Sequence, residues 1–388
     1  MARTNSQPGR SNSHSLATAR SPRTLIVHDY LNQYGGAERV LEAMRDLYPD
    51  APVMTSIFDP SAMPDHFDTW DVRPSWIDSI PGIHGHHQWA LPLYPCVFRN
   101  VEGAPPNLVL SSSSAWAKGI QVPEGCVHVA YIHAPMRFAW NFDQYCERER
   151  VPKTARKVLP PFMGVLRWRD RVSARRITRI VANSTAVRDR VRAFWRRDAD
   201  IVFPPVATEA FLPAALSEVG DEYLVVSRLV PYKRIDLVIE AFNRLNLPLT
   251  IVGDGRARRE LERMAGPTIR FLGRLSDEAV RYRSARCKAA VFMSEDDFGI
   301  AQVEVQAAGR PVIALARGGV LDSVLPGTTG VWVAEQSVES LVDAVHRFQQ
   351  LSFNPDRLVS HASMFSVSRF QHEFGTIVDE AMAAVQRS

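Results

Sequence analysis

Short apolar runs separated by helix-length mixed segments recur along most of the chain. In the first half they fall at 24–28, 53–57, 107–110, 127–132 and 177–182; in the second, at 222–227, 249–252, 269–272, 289–293 and 311–314. Runs of this kind, bounded by turn residues, predict strands buried on both faces. Segments 37–47 and 235–245 predict helices, the second amphipathic, and 368–385 has helical periodicity. The alternation predicts an α/β protein whose sheets are parallel and covered by helices on both faces. The first half carries longer irregular inserts, notably 60–95. Phe203-Pro204-Pro205-Val206 and the polar, loosely patterned residues up to Asp221 then separate two halves. The predicted organisation is a disordered tail over 1–22, a first domain over 23–205, a linker over 206–221, a second domain over 222–366 and a C-terminal helix over 367–388.

A chain of 388 residues exceeds what one hydrophobic core usually accommodates, which agrees with two domains. The formal charge of +4 is small for this size, but the basic residues are unevenly spread, which matters more for partners than the total does; no nucleic-acid partner is expected. Cys96, Cys126, Cys146 and Cys287 show no metal-ligand or redox spacing, so reduced thiols in a cytoplasmic protein are expected. The first twenty or so residues are rich in Ser, Arg and Asn and lack the apolar core of a secretory signal. No uninterrupted apolar run reaches the ~20 residues needed to cross a bilayer, so any membrane contact is expected to be peripheral.

The densest chemistry lies at Asp296-Asp297-Phe298-Gly299-Ile300-Ala301-Gln302-Val303-Glu304, directly after a predicted strand. A helix opening at Gly299 would expose unpaired N–H groups to a phosphate, while neighbouring carboxylates accept hydrogen bonds from sugar hydroxyls. After the strand ending at Ser227 come Arg228 and Lys233, two cations straddling a turn where both can reach one diphosphate. Gly35-Gly36 follows the first strand and precedes a helix, letting backbone approach a ligand with no Cβ in the way. Gly253-Asp254-Gly255 reads by itself as a tight strand-to-helix turn. His133 follows the strand at 127–132, at the end where such sheets bind ligands. A dinucleotide-dependent dehydrogenase would want Gly-x-Gly-x-x-Gly after the first strand, and Gly35-Gly36 does not supply it.

Taken together, these pieces resemble retaining glycosyltransferases of family 4. The resemblance rests on Ser227-Arg228-Leu229-Val230-Pro231-Tyr232-Lys233-Arg234, Val252-Gly253-Asp254-Gly255, Phe271-Leu272-Gly273-Arg274-Leu275-Ser276 and the segment from Asp296 to Glu304. In the first half, Gly35-Gly36-Ala37-Glu38-Arg39 and His133-Ala134-Pro135-Met136-Arg137-Phe138-Ala139-Trp140 resemble a subgroup that builds bacterial surface polysaccharides from GDP-mannose.

The resemblance implies the GT-B fold, two facing Rossmann-like domains with the last helix crossing back to the first. It implies transfer of a hexose, mannose from GDP-mannose, to a lipid-linked oligosaccharide with formation of an α-linkage. The same chemistry with UDP-glucose or another nucleotide sugar is the alternative, and a non-catalytic component of polysaccharide assembly is a further one. Implied roles are Glu304 on the ribose hydroxyls, Arg228 with Lys233 on the leaving diphosphate, and Gly273, Arg274 and Leu275 beside the base. His133 would neighbour the transferred sugar. Gly35, Gly36, Gly253, Phe298, Gly299, Ile300 and Ala301 would line the donor, and Arg137 and Trp140 the acceptor.

Asp296 stands where the family has a glutamate, one methylene longer; either Asp296 reaches the sugar or adjacent Glu295 substitutes. No Asp-x-Asp motif in a metal-binding context is present, so no cofactor or metal is expected. The interval 148–179 carries many Arg and Lys against only Glu149 and Asp170, with Phe162, Val165 and Trp168 interleaved. Such a segment suits docking at the anionic inner face of the cytoplasmic membrane.

Overall fold

The computed structural model describes residues 22–85, 90–91, 93–99, 104–142, 156 and 159–387. Most of the predicted tail, and with it Cys146, Arg148, Arg150, Lys153 and Lys157, lies outside the described residues.

The apolar runs become two parallel sheets. The first comprises β1 (Thr24–His28), β2 (Val53–Thr55), β3 (Val72–Pro74), β4 (Leu108–Ser113), β5 (Val127–Ile132), β6 (Arg179–Ala182) and β7 (Asp200–Ile201), in the order β3-β2-β1-β4-β5-β6-β7. The second comprises β8 (Tyr223–Val226), β9 (Leu249–Val252), β10 (Ile269–Gly273), β11 (Ala289–Phe292), β12 (Val312–Leu315) and β13 (Gly330–Val333), in the order β10-β9-β8-β11-β12-β13. Every residue of β4, β5, β9, β11 and β12 is buried, which is why these strands lack polar alternation.

Strands β3, β7 and β13 have no counterpart among the predicted runs, for local reasons. All three are edge strands, and two are too short or too polar to stand out: β3 ends in exposed Arg73 and Pro74, and β7 is Asp200–Ile201 alone. The third begins at Gly330, where a Cβ would lie 2.1 Å from the carbonyl oxygen of Val312. A glycine that lowers strand propensity is therefore what lets β13 approach β12.

The polar stretch after Val206 is anchored at its start, where Thr208 and Phe211 are buried, and is mostly exposed from Leu212 to Asp221. Phe211 joins Val206, Ala285, Phe298, Val303 and Phe365 in one apolar cluster. The chain crosses between domains twice, side by side: Val206 N–H donates to the Phe365 carbonyl at 2.9 Å, and Val206 bridges Ser366. From there the helix Val367–Gln386 returns to the first domain, capped by the Ser366 hydroxyl, which accepts from Arg369 N–H. Its buried Phe370, Phe374, Val378 and Ala381 recur at helical spacing and pack with Ile26, Val40 and Tyr131. The Tyr131 ring meets Phe370 and Phe374 edge-on, at 5.6 and 6.1 Å. The second half of the sequence thus completes the core of the first. Phe374→Ala should cost about 3–5 kcal/mol of stability, the range for emptying a buried aromatic site, and urea unfolding measures it.

Candidate functional site

The carboxyl ends of the two sheets open on one cleft of about 360 Å³. The first domain contributes Gly36 and Ala37, His133 after β5 and Asn183 after β6; the second contributes Ser227, Arg228 and Lys233 after β8 and Asp296 to Gln302 after β11. Two helices, Gly36–Leu47 and Ile300–Ala307, begin here, and neither has a side chain capping its first turn. Their unpaired N–H groups are suited to an anion. The two N-termini abut so closely that a Cβ on Gly36 would sit 2.7 Å from Ile300 Cδ1. Gly299, at φ +95°, makes the left-handed turn into its helix, a conformation that glycine adopts without cost.

Charge in the cleft is arranged in layers. Lys233 Nζ donates to both Asp296 carboxylate oxygens, at 2.8 and 2.9 Å, and the Ser294 hydroxyl donates to the second at 2.8 Å. Burial pushes the Asp296 pKa up, but the charge and hydrogen bonds of Lys233, helped by Ser294 and Arg137, hold it below the usual carboxylate range. Asp297 is gripped by the guanidinium groups of Arg137 and Arg190, both from the first domain, and Arg190 also reaches Glu295 at 2.9 Å. Arg228 donates to Gln33 Oε1 at 3.4 Å and to the Tyr232 hydroxyl at 3.0 Å. Both partners are neutral, so its charge is left to face an incoming anion.

Glu304 opens on a neighbouring hollow of about 270 Å³, lined also by Tyr34, Arg39, Pro205, Asp277 and Val280. Arg39 of the first domain forms an ion pair with it. Burial disfavours the Arg39 charge, yet Glu304 more than offsets this and holds the guanidinium pKa above its ordinary value.

His133 is half-buried, and its Nε2 lies 2.7 Å from the Ser112 hydroxyl. Burial, with His28 nearby, pushes its pKa down to about 4. An unfolded chain takes up this proton near pH 6.5, the folded one only near 4. The stability contributed by neutral His133 is therefore present above pH ~6.5 and lost as pH falls toward 4. The urea midpoint should decline across this window, and less steeply in His133→Asn. His128, pushed to about 4 by burial, adds a decline of the same sign that survives the substitution.

The structure brings together Gly36, His133, Arg228, Lys233, Asp296, Phe298, Gly299, Ile300 and Ala301. Gly35 immediately precedes the first-domain helix, Glu295 turns to Arg190, and Arg137 reaches the site through Asp297. Trp140 lies elsewhere: it stacks on Phe194 at 4.5 Å and donates its Nε1–H to Asp170 at 2.7 Å. Gly253, Gly273, Arg274 and Leu275 line neither hollow. A Cβ on Gly253 would fall 1.9 Å from the Ser227 carbonyl oxygen, so this glycine lets the turn support the Ser227-Arg228 loop. Residues 273–275 lead into Ser276, which caps the helix carrying Asp277 and Val280 into the smaller hollow.

Sequence reasoning assigned no role to Arg39, Arg190, Asn183 or Gly318-Gly319. Cβ atoms on Gly318 and Gly319 would sit 2.2 Å from the Asp296 carbonyl oxygen and 2.2 Å from Phe298 Cα, and Gly319 N–H donates to that carbonyl at 3.0 Å. This pair presses the 295–298 loop into place. Its signal, two glycines just past a strand end, is the one that marked Gly35-Gly36. Among the described residues, no group of three His, Cys, Asp or Glu side chains is placed to share a metal ion, and no helix is long and apolar enough to cross a membrane.

Comparison with known proteins bears on the same loops. Residues 214–363 match glycosyl transferases group 1. The glycosyl transferases group 1 match thus covers β8 to β13 and the loops carrying Arg228, Lys233, Asp296 and Glu304. The chain is also 32% identical over 212 residues to D-inositol 3-phosphate glycosyltransferases of Mycobacterium bovis and Mycobacterium tuberculosis. That match covers 49% of this chain and 44% of the relative, so the chain spans less than half the length of these relatives. Three solved structures share the fold. Anabaena HepE in complex with UDP-glucose has a TM-score of 0.65 at 17% identity, covering 92% of this chain and 99% of that one. Sucrose-phosphate synthase from Thermosynechococcus elongatus has a TM-score of 0.68 at 16% identity, covering 93% and 100%. The lipopolysaccharide outer core galactosyltransferase WaaB has a TM-score of 0.65 at 14% identity, covering 92% and 99%. The comparisons support the resemblance at the level of glycosyl transferases group 1 and of two facing parallel-sheet domains.

Proposed function

We propose that this protein is a retaining glycosyltransferase that moves mannose from GDP-mannose to a lipid-linked oligosaccharide in surface polysaccharide assembly, forming an α-linkage. The observation that carries the reading is the cationic cradle: Arg228 and the Lys233–Asp296 pair set against the uncapped helix N-terminus at Gly299. In this reading the diphosphate lies between Arg228, Lys233 and the amides at Gly299 to Ala301. The nucleoside occupies the smaller hollow, with its ribose hydroxyls on Glu304, and the hexose sits beside His133 and Asp296.

The acceptor oxygen attacks the anomeric carbon from the face on which the diphosphate departs. As the new C–O bond forms, the bond to phosphate breaks with its electron pair on the phosphate oxygen, which takes the acceptor's proton. The protein orients both reactants and stabilises charge on the phosphate and on an oxocarbenium-like sugar. Arg228, Lys233 and the helix amides act as the counter-charge in place of a metal. A second reading with UDP-glucose as donor draws on the HepE complex, which holds that nucleotide sugar. The helix Pro160–Arg175 exposes Val165 and Trp168 on the side that carries exposed Arg171 and Arg175, a face suited to an anionic membrane.

Turnover of GDP-mannose and UDP-glucose, each with and without chelator, tests the reading. Release of GDP from GDP-mannose that persists in chelator is expected; a reaction abolished by chelator and restored by divalent metal overturns the metal-free cradle, and inertness toward every nucleotide sugar overturns the whole. Flotation with anionic vesicles tests the membrane face.

A further inference from the structure

A line of polar side chains, buried up to its last member, runs from the helix Gly36–Leu47 to the cleft, and only that last member, His133, enters the transfer reading above. Glu38 is 4% exposed, and its Oε1 lies 3.4 Å from His28 Nε2. His28, at the end of β1, has its Nδ1 3.1 Å from the Ser112 hydroxyl, and that hydroxyl is 2.7 Å from His133 Nε2. His28 and Ser112 are buried, whereas His133 lines the cleft.

Such a line has a direction. A carboxylate only accepts, a hydroxyl donates one hydrogen, and a neutral imidazole carries one N–H. The Glu38 carboxylate can only accept, so the hydrogen of His28 lies on Nε2, and a neutral imidazole has no second one. Its Nδ1 is then an acceptor for the Ser112 hydroxyl. The Ser112 oxygen in turn accepts Nε2–H from His133, which leaves His133 Nδ1 without a hydrogen.

We propose that Glu38, through His28 and Ser112, fixes His133 in the Nε2–H tautomer and so presents an acceptor nitrogen to a hydroxyl of the transferred sugar. The sugar clause rests on the glycosyl-transfer reading; the tautomer does not. Glu38, His28 and Ser112 are positioning residues. A neutral His133 is required, and burial keeps it so well below pH 7. Of the ionisable groups facing it, His28 opposes its protonation, while Glu38, Asp29 and Asp297 favour it less strongly than burial disfavours it. Asn183 Nδ2 donates to the His133 carbonyl at 3.0 Å and the Tyr131 ring meets the imidazole edge-on at 5.3 Å, so the ring's place is set independently of its hydrogen. A sugar lacking the matching hydroxyl would leave Nδ1 unpaired, the kind of penalty by which polar sites discriminate.

The test is a two-bond ¹H–¹⁵N correlation spectrum of the full chain labelled at histidine nitrogens, at about pH 7, with His133→Asn and His28→Asn giving the assignments. His133 and His28 should both carry the hydrogen on Nε2. In Glu38→Gln the amide donates as well as accepts, so the line can reverse and His133 should shift toward Nδ1–H. Ser112→Ala should leave His133 a mixture of tautomers and His28 unchanged. His133 as Nδ1–H in the parent protein, or one unaltered tautomer in both variants, overturns the proposal. Loss of one oriented hydrogen bond should also raise the donor KM about tenfold in Ser112→Ala, with a smaller change in kcat. Absence of any transfer would remove the glycosyl-transfer reading and leave the spectra to decide the tautomer.

Discussion

Lys233→Met should lower kcat/KM for sugar transfer by about 10²- to 10³-fold, the range for removing one preorganised donor from a developing oxyanion. It should also destabilise the fold, because part-buried Asp296 is left with only the Ser294 hydroxyl and the more distant Arg137 as compensation. Breaking a fully buried pair from one side costs about 3–5 kcal/mol, mostly the penalty of the charge left behind; with 19% and 16% side-chain exposure here, the loss should fall below that range. The two effects separate in a second variant. Adding Asp296→Asn removes the orphaned charge, so Lys233→Met/Asp296→Asn should recover much of the urea midpoint while transfer stays low. If transfer returned along with stability, Lys233 would be a structural partner of Asp296 and not a ligand of the diphosphate. The acid limb points the same way: Asp296 is held below the usual carboxylate range, so its contribution is present above that range and lost as pH falls through its lowered value. Lys233→Met should flatten that limb.

How much of this could be read before the structure depends on what each residue interacts with. The buried strands were legible because a strand covered on both faces is mostly apolar: β11 and β12 are so throughout, and β4, β5 and β9 carry only a few buried polar residues, Ser111 to Ser113, His128 and Thr250. Edge strands β3 and β7 carry no such constraint and left no trace. Arg228, Lys233, Asp296 and Glu304 were legible because each lies in a loop just past a strand, or in the helix that follows, at a family-like spacing. Arg39 and Arg190 were not. Their partners, Glu304 and Asp297, are 265 and 107 residues away, and no local pattern encodes a pairing between domains. Trp140 shows the converse. It stands in a motif beside His133, but its ring is held by Phe194 and by Asp170, which also accepts from Trp195 Nε1 and pairs with buried Lys118. Proximity in sequence placed it near the cleft, and packing took it away.

The Arg39–Glu304 pair makes the second large prediction, because its two members should respond with opposite signs. Glu304 is offered to the ribose hydroxyls in the proposed function, yet without donor it is held by a guanidinium from the other domain. Both partners are partly exposed at their side chains, 31% and 13%, so the pair is open to exchange and a ligand can replace Arg39. Glu304→Gln removes the charge behind two hydrogen bonds and turns one acceptor oxygen into a donor, and at about 1.5–3 kcal/mol for bonds to a charged group the nucleotide Kd should rise roughly 10- to 100-fold. Arg39→Gln removes only the competitor. The donor no longer has to displace a cation before binding, so the Kd should fall, by a factor of a few if the pair resembles other part-exposed ion pairs worth up to about 1 kcal/mol. Calorimetric titration with a nucleoside diphosphate reads both. Raised salt should narrow the gap between Arg39→Gln and the parent protein, since screening weakens the pair that the substitution deletes. A fall in affinity on substituting Arg39 would mean that this guanidinium binds the nucleotide itself, and that the two domains share the donor site across Glu304 instead of contending for it.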